Sequence, residues 1–161
     1  MTPVNAADIF ADAQITLDLP VTSKKEALLS LCQLAALEVN LHESQIYAAI
    51  AEREALAATG LGQGLAIPHA KIEGVDRVVG VLARLSQPVE YDAVDGKPVD
   101  VMFMLLAPAN AGSDHLRALA AASRFLRDPV ISRLCRMAKT TAGLQRALTP
   151  GEIDKYARAA E

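Results

Sequence analysis

Apolar and polar positions alternate from Gln14 to Leu19, the period of a short half-buried strand, and Pro20 stops the run. The period then changes. Leu28, Leu31, Cys32, Ala35 and Leu37 recur on one face of a helix that starts at Ser23, with Glu26 three residues on completing a capping box and Asn40 as the stop. A second amphipathic helix is predicted over Glu43 to Ala57, with Glu43 in its first turn and Ile46, Ala49 and Ile50 on the buried side. The Val-rich segment Arg77 to Leu85 reads as a strand that exits at Pro88 and Tyr91-Asp92. Asp95-Gly96 is a strong turn signal, so Val89 to Ala107 folds back on itself. The run Val101-Met102-Phe103-Met104-Leu105-Leu106 makes Val99 to Leu106 a strand buried on both faces, its methionines filling core.

Beyond that strand a polar loop, Pro108 to Gly112, leads to a helix capped by Ser113 or Asp114, with Leu116, Leu119, Ala120, Ser123 and Leu126 on one face and His115 in the first turn. Asp128-Pro129 breaks it. Shorter helices are predicted over Val130 to Ala138 and Thr141 to Leu148. A last one has Thr149 as cap, Pro150 at the first helical position and Glu152 completing a capping box. Strands interleaved with helices along 161 residues describe one α/β domain, spanning residues 1–161.

Composition narrows the function. An apolar content of 52% with 22% charged residues belongs to an ordered globular chain. The formal charge is −3, from 16 basic and 19 acidic residues, with no basic run and no basic patch interleaved with aromatics, which argues against nucleic-acid binding. Met1-Thr2-Pro3-Val4-Asn5 lacks the features of a signal peptide, and no apolar stretch approaches membrane-spanning length. The expectation is a cytoplasmic protein that is not membrane-embedded. Cys32 and Cys135 sit among leucines with no CxxC, as core thiols do. The spacing of His42, His69 and His115 supports no metal site.

The candidate chemistry lies in Thr59-Gly60-Leu61-Gly62-Gln63-Gly64-Leu65-Ala66-Ile67-Pro68-His69-Ala70-Lys71. Glycines at alternate positions admit positive φ and let backbone N–H groups converge, which suits an anion. Pro68 fixes the backbone directly before His69, after the short apolar run Leu65 to Ile67. An imidazole beside such a turn is placed for chemistry on an anionic group, phosphoryl being the obvious candidate. No Gly-Lys-Ser/Thr ending follows and the glycines lead into a strand, so neither a Walker loop nor a dinucleotide fingerprint is present. On these residues alone an ordinary turn with a structural histidine stands at even weight. By spacing alone Arg53 is a solvated arginine at a helix C-terminus, favoured there by the dipole, and His115 an exposed helix-start residue. Both histidines do follow buried strands, where sites of open α/β sheets gather.

The run from Arg53 to His69 resembles the active-site segment of enzyme IIA of the phosphoenolpyruvate-dependent phosphotransferase system, of the mannitol/fructose-type superfamily and in particular its free-standing nitrogen-regulatory branch. Leu17-Asp18-Leu19, Ser23-Lys24-Lys25, Asp95-Gly96-Lys97-Pro98-Val99-Asp100, Leu105-Leu106-Ala107-Pro108 and His115-Leu116-Arg117-Ala118-Leu119-Ala120 extend the resemblance over nearly the whole chain. Ala58 stands where the family usually has Ser, and Ala70 where Gly is common. The resemblance implies a central mixed β-sheet flanked by helices. It implies that Nε2 of His69 accepts a phosphoryl group from an HPr-like phosphocarrier protein, with Nδ1 oriented by the fold. His115 is then the second active-site histidine, Arg53 a fork of donors to phosphoryl oxygens, and Thr59, Gly60, Gly62 and Gly64 the phosphate pocket, without metal or cofactor. Regulated targets of that branch, such as potassium transporters or sensor kinases, are the implied partners. Two other functions are carried: a sugar-specific IIA passing phosphoryl to a IIB domain, which the absence of a fused IIB domain or membrane segment disfavours, and a non-catalytic interaction module.

Overall fold

The computed structural model describes residues 6–149, 151–153 and 155. Six strands, β1 (Gln14–Leu19), β2 (Gly60–Gly62), β3 (Leu65–Ala66), β4 (His69–Ile72), β5 (Val79–Val89) and β6 (Val99–Pro108), form one mixed sheet in the order β1-β5-β6-β3-β2, with β4 also on β6. β6 pairs antiparallel with β5 on one side and parallel with β3 and β4 on the other. β6 is bonded along both edges and covered on both faces, so every residue from Val101 to Ala107 is buried. Its side chains alternate between two cores. Met102, Met104 and Leu106 face helices α2 (Lys24–Ala35) and α3 (Glu43–Leu56); Val101, Phe103 and Leu105 face α1 (Ala6–Ala11), α4 (Ser113–Arg127), α5 (Pro129–Met137) and α6 (Thr141–Ala147).

β3 and β4 are two pieces of one line along the same edge of β6, broken at Ile67-Pro68. Ile67 donates its N–H to the Thr59 carbonyl, and Pro68, with no N–H to give, still accepts from Leu105. His69 thus starts a strand, and its neighbour in register is Leu105 in the middle of β6.

Several boundaries differ from the sequence expectation, each for a local reason. α1 carries no clear period yet forms, because Phe10 stacks on Phe103 with ring centroids 4.1 Å apart. α2 ends at Ala35 rather than Asn40, leaving Leu37 exposed; Ser23 caps it, but the Glu26 carboxylate accepts from Thr22 instead of returning to the Ser23 N–H. His42 caps α3 in a reciprocal box with Gln45. β5 starts at Val79 and continues past Pro88 to Val89, the missing N–H falling in the irregular register between Arg84 and Val89. Gly112, with φ 60°, precedes α4 where Ser113 or Asp114 was expected to cap. Thr149 donates its hydroxyl to the Arg146 carbonyl, and Pro150 lies outside the described residues.

α4 is also rotated relative to the expected face. It buries His115, Ala118, Ala122 and Leu126, the two alanines allowing close approach to the sheet, and leaves Leu116 exposed and Leu119 half-buried. Close packing is equally strict at Gly80, where an added Cβ would stand 2.4 Å from Cζ of Phe103. Phe103 is backed by Phe10 and has nowhere to retreat. Gly80→Ala is expected to cost about 1–3 kcal/mol through overpacking, read as a lower urea midpoint at unchanged slope; an unshifted midpoint would show that the ring can give way.

Candidate active site

Four separate pieces of chain meet around His69. The end of α3 brings Arg53, the segment after it Ala58 to Leu61, the edge line of the sheet Ile67 and His69, and the first half of α4 Leu116, Leu119, Ala120 and Ser123; together they line a cleft of about 360 Å³. The His115 ring lies beside it, its centroid 5.6 Å from that of His69 and tilted 41°.

His69 is only 7% exposed, and its Nδ1 stands 2.8 Å from the carbonyl oxygen of Ile67. A carbonyl accepts and never donates, so Nδ1 carries the proton and donates it. The neutral ring then has its lone pair on Nε2. Burial holds the imidazole pKa below the ordinary 6.5; the Ile67 carbonyl and the Glu54 carboxylate oppose that shift, and the Arg53 guanidinium reinforces it. His115 is likewise lowered, by burial first and then by the neighbouring His69 ring, which resists a second proton beside it, and the charges of Lys71 and Arg53; its Nδ1 is buried with no hydrogen-bond partner among the described residues. Two neutral imidazoles beside a fixed cation form a site receptive to an anion and poor at holding further positive charge.

Both shifts make stability depend on pH. Below 6.5 the unfolded chain binds protons that the folded histidines refuse, so stability present above that pH declines as the pH falls toward the folded values. The thermal midpoint is expected to drop between about pH 7 and 5.5, where ordinary carboxylates stay ionised, and to drop less in His115→Gln. A flat midpoint in the wild type would contradict the burial of these rings.

The turn before His69 is held by a group the sequence reading passed over. The Glu54 side chain, 6% exposed, accepts from the backbone N–H of Thr59 at 3.2 Å, from the Thr59 hydroxyl and from the Tyr91 hydroxyl at 3.0 Å, and pairs with Lys24 at 3.0 Å. Lys24 also lies over the Tyr91 ring, 4.3 Å from its centroid. Burial and the Glu54 charge push the Tyr91 hydroxyl far above its ordinary pKa, so it keeps its proton and donates it to Glu54. One carboxylate therefore ties α2, α3, the loop after β5 and Thr59 together. Nothing local marks it: beside Arg53 on a charged stretch of helix, Glu54 looks solvated, and no periodicity links positions 24, 54 and 91.

Of the residues singled out from sequence, Arg53, Thr59, Gly60, His69 and His115 come together, whereas Gly62 and Gly64 do not line the cleft. Gly62, Gln63 and Gly64 take φ of 89°, 58° and 80° at the tip of a β2–β3 hairpin. There the Gln63 N–H donates to Asp95 at 2.8 Å, and the Gln63 and Gly64 carbonyls accept from Arg136 and from the N–H groups of Asp100 and Val101. Those two glycines shape the turn. Gly60 has a different reason: an added Cβ would meet that of Ala93 at 2.7 Å. Arg53 donates one N–H to the Ala57 carbonyl at 3.0 Å, capping its own helix as expected from the dipole, while standing on the cleft wall. His42 serves as a helix cap and both cysteines are buried free thiols, Cys32 pushed up to about 12 by burial. Among the described residues no group of three His, Cys, Asp or Glu side chains is placed to hold a metal ion, and no helix is long and apolar enough to cross a membrane.

Comparison with known proteins agrees with this architecture. The nitrogen regulatory protein of Bradyrhizobium diazoefficiens is 39% identical over 141 residues, covering 88% of this chain and 92% of that protein. The crystal structure of the nitrogen regulatory protein IIA-Ntr from Neisseria meningitidis superposes with a TM-score of 0.80 at 34% identity, over 89% of this chain and 98% of that one. The crystal structure of IIA mannitol from Escherichia coli shares the fold, with a TM-score of 0.68 at 22% identity over 84% and 96% of the two chains. The family model described as "Phosphoenolpyruvate-dependent sugar phosphotransferase system, EIIA 2" matches residues 8–150, the span that carries the buried imidazole, its cleft and the whole sheet, and the chain belongs to that family.

Proposed function

We propose that His69 accepts a phosphoryl group from the phosphohistidine of an HPr-like carrier protein, and that the resulting phosphorylation state governs which protein targets this chain binds. The observation that carries the proposal is the His69 geometry: a buried neutral imidazole whose Nδ1 proton is held by the Ile67 carbonyl, leaving Nε2 as the nucleophile beside Arg53. In the transfer, the Nε2 lone pair forms a bond to phosphorus while the bond from phosphorus to the carrier imidazole breaks, that nitrogen keeping the electron pair. His69 gives up no proton in this step. The bound Nδ1–H instead fixes the ring against rotation and stabilises positive charge developing on it.

A loose phosphoryl transition state needs positioning and neutralisation of its equatorial oxygens. Arg53, with donors beyond the one given to Ala57, supplies both, and His115 offers a further polar contact from the other side. Leu61, Leu116 and Leu119 make an apolar rim to the cleft, which suits a donor that is itself a protein and excludes water from the transferring group. Once formed, the phosphohistidine places negative charge and strong acceptors on that docking surface and changes which partners it admits. Nitrogen-branch targets such as potassium transporters or sensor kinases fit this reading.

The test is intact-mass spectrometry after incubation with phosphoenolpyruvate, the first phosphotransferase enzyme and its carrier protein. One acid-labile phosphoryl group is expected on the wild type, with no onward transfer to a IIB domain. Efficient onward transfer would favour a sugar-specific component, and no phosphoryl group would leave an interaction module. Arg53→Lys keeps the charge and loses the planar fork, so phosphorylation should slow by about tenfold or more while the thermal midpoint holds; an unchanged rate would remove Arg53 from the transition state.

A further inference from the structure

A second concavity, of about 650 Å³, runs between α5 and α6 and shares no lining residue with the His69 cleft. Its floor and walls are apolar, Leu144 deepest, with Val130, Leu134 and Met137 above, and Met137 is 65% exposed. Arg133 and Lys139 stand on its lining as exposed cations.

The stretch of chain that carries it is one-sided in charge. Between Arg117 and Thr149 there are seven basic residues and one acidic residue, while the rest of the chain has nine basic and eighteen acidic. The cations are spaced through three helices rather than run together, so no basic stretch shows in the sequence. The lone acidic group, Asp128, is used as the cap of α5. Arg117 pairs with Asp114 and Arg136 with Asp100, but among the described residues Arg124, Arg127, Arg133, Lys139 and Arg146 are exposed without a carboxylate partner. The groove is also preformed. Arg84 donates to the carbonyls of Cys135, Arg136 and Ala138 at the end of α5, and Arg136 forks onto Asp100.

We propose that the α5–α6 groove docks an acidic amphipathic helix of a partner protein, its apolar stripe seated on Leu134, Met137 and Leu144 and its carboxylates against Arg133 and Lys139. A helix laid in a groove presents apolar anchors every three or four residues, which suits a concavity lined along one side by Val130, Leu134 and Met137 of α5. A rigid trough reduces the ordering cost of binding, and Met137 adapts its shape to different anchors. The apolar surface is recessed between two helices, whereas a membrane-binding face must project into the lipid. The lining holds no aromatic ring on which a nucleic-acid base would stack.

The experiment uses the full chain and a labelled synthetic peptide of about four helical turns, with Leu on one helical face and Glu and Ala elsewhere, followed by fluorescence anisotropy. A scrambled peptide of the same composition is the reference. The amphipathic peptide is expected to bind at least about tenfold more tightly than the scramble, more weakly as salt rises. Met137→Glu and the double variant Arg133→Glu/Lys139→Glu should each cost about tenfold. All three residues are exposed, and an unchanged thermal midpoint confirms that the variants fold. Equal binding of both peptides, insensitivity to either variant, or binding confined to phosphatidylglycerol vesicles or to single-stranded DNA would overturn the proposal. So would self-association of the chain that Met137→Glu abolishes. Because Arg53→Lys leaves the groove intact, peptide affinity should be the same in that variant whatever the outcome at His69.

Discussion

His69→Ala is expected to take up no phosphoryl group under conditions that label the wild type fully. Removing the imidazole removes the atom proposed to attack, Nε2, whose partner nitrogen is tied to the Ile67 carbonyl. The loss should be total rather than partial, because the other groups on the cleft lining are poor nucleophiles: Thr59 has its hydroxyl engaged by Glu54 and Tyr91, Ser123 offers only a neutral hydroxyl, and the Arg53 guanidinium is cationic. His115 has an imidazole, but among the described residues its Nδ1 lacks the partner that would fix a tautomer. The fold should survive. The substitution leaves the Ile67 carbonyl short of one hydrogen bond, worth about 1 kcal/mol, against a typical total of about 5–15 kcal/mol. Intact mass after the phosphoenolpyruvate relay reads the outcome directly. An acid-labile phosphoryl group on a folded His69→Ala chain would move the acceptor elsewhere, with His115 the first place to look.

Glu54→Ala is expected to cost both stability and phosphoryl uptake. It removes one carboxylate that four groups share: the Lys24 ammonium and the Thr59 backbone N–H lose their side-chain acceptor, and the Thr59 and Tyr91 hydroxyls are left with only each other. Breaking a buried ion pair from one side costs about 3–5 kcal/mol. Lys24 is 24% exposed and recovers some hydration, which places the expected loss toward the lower end of that range. Glu54→Gln keeps the shape and one acceptor oxygen, so it should lose less. The effect reaches the site through Thr59 and Gly60, which line the cleft, so phosphoryl uptake by the Glu54→Gln chain should be slower even where the protein is folded. Urea denaturation checks the first statement and timed intact mass the second. An unchanged midpoint in Glu54→Ala would mean that these contacts form equally well in the unfolded chain.

Local chemistry was enough to place most of the elements. The apolar run of β6 needed both faces covered, and its position inside the sheet follows from composition alone. Ser23, Asp128 and Thr140 each accept from a backbone N–H in the first turn of their helices. Asp95-Gly96 turned the chain, Gly96 donating to the Ala93 carbonyl. The segment from Thr59 to His69 was legible as a candidate site because glycine, proline and histidine side by side have consequences within a few bonds, whereas Arg53 entered only through the family resemblance. Where periodicity was the sole guide, as for α4, the face was misplaced: Ala118 and Ala122 pack on the sheet and the leucines turn toward the cleft, since small residues permit the closest approach.

What belongs to the sequence by itself is therefore whatever is decided over one helical turn or one strand repeat: caps, turns, the burial of β6, the glycine hairpin and the rigid Pro68-His69 step. The tertiary structure decided what depends on distant partners. It brought Arg53 and His115 to His69, made Glu54 the tie between residues 24, 59 and 91, drew Gly62 and Gly64 toward Asp95, Asp100 and Arg136, and set Arg133 and Lys139 on the lining of the α5–α6 groove. Such pairings leave no local trace, because the free energy that selects them is realised only when segments far apart in the chain are packed together and water has been removed from between them.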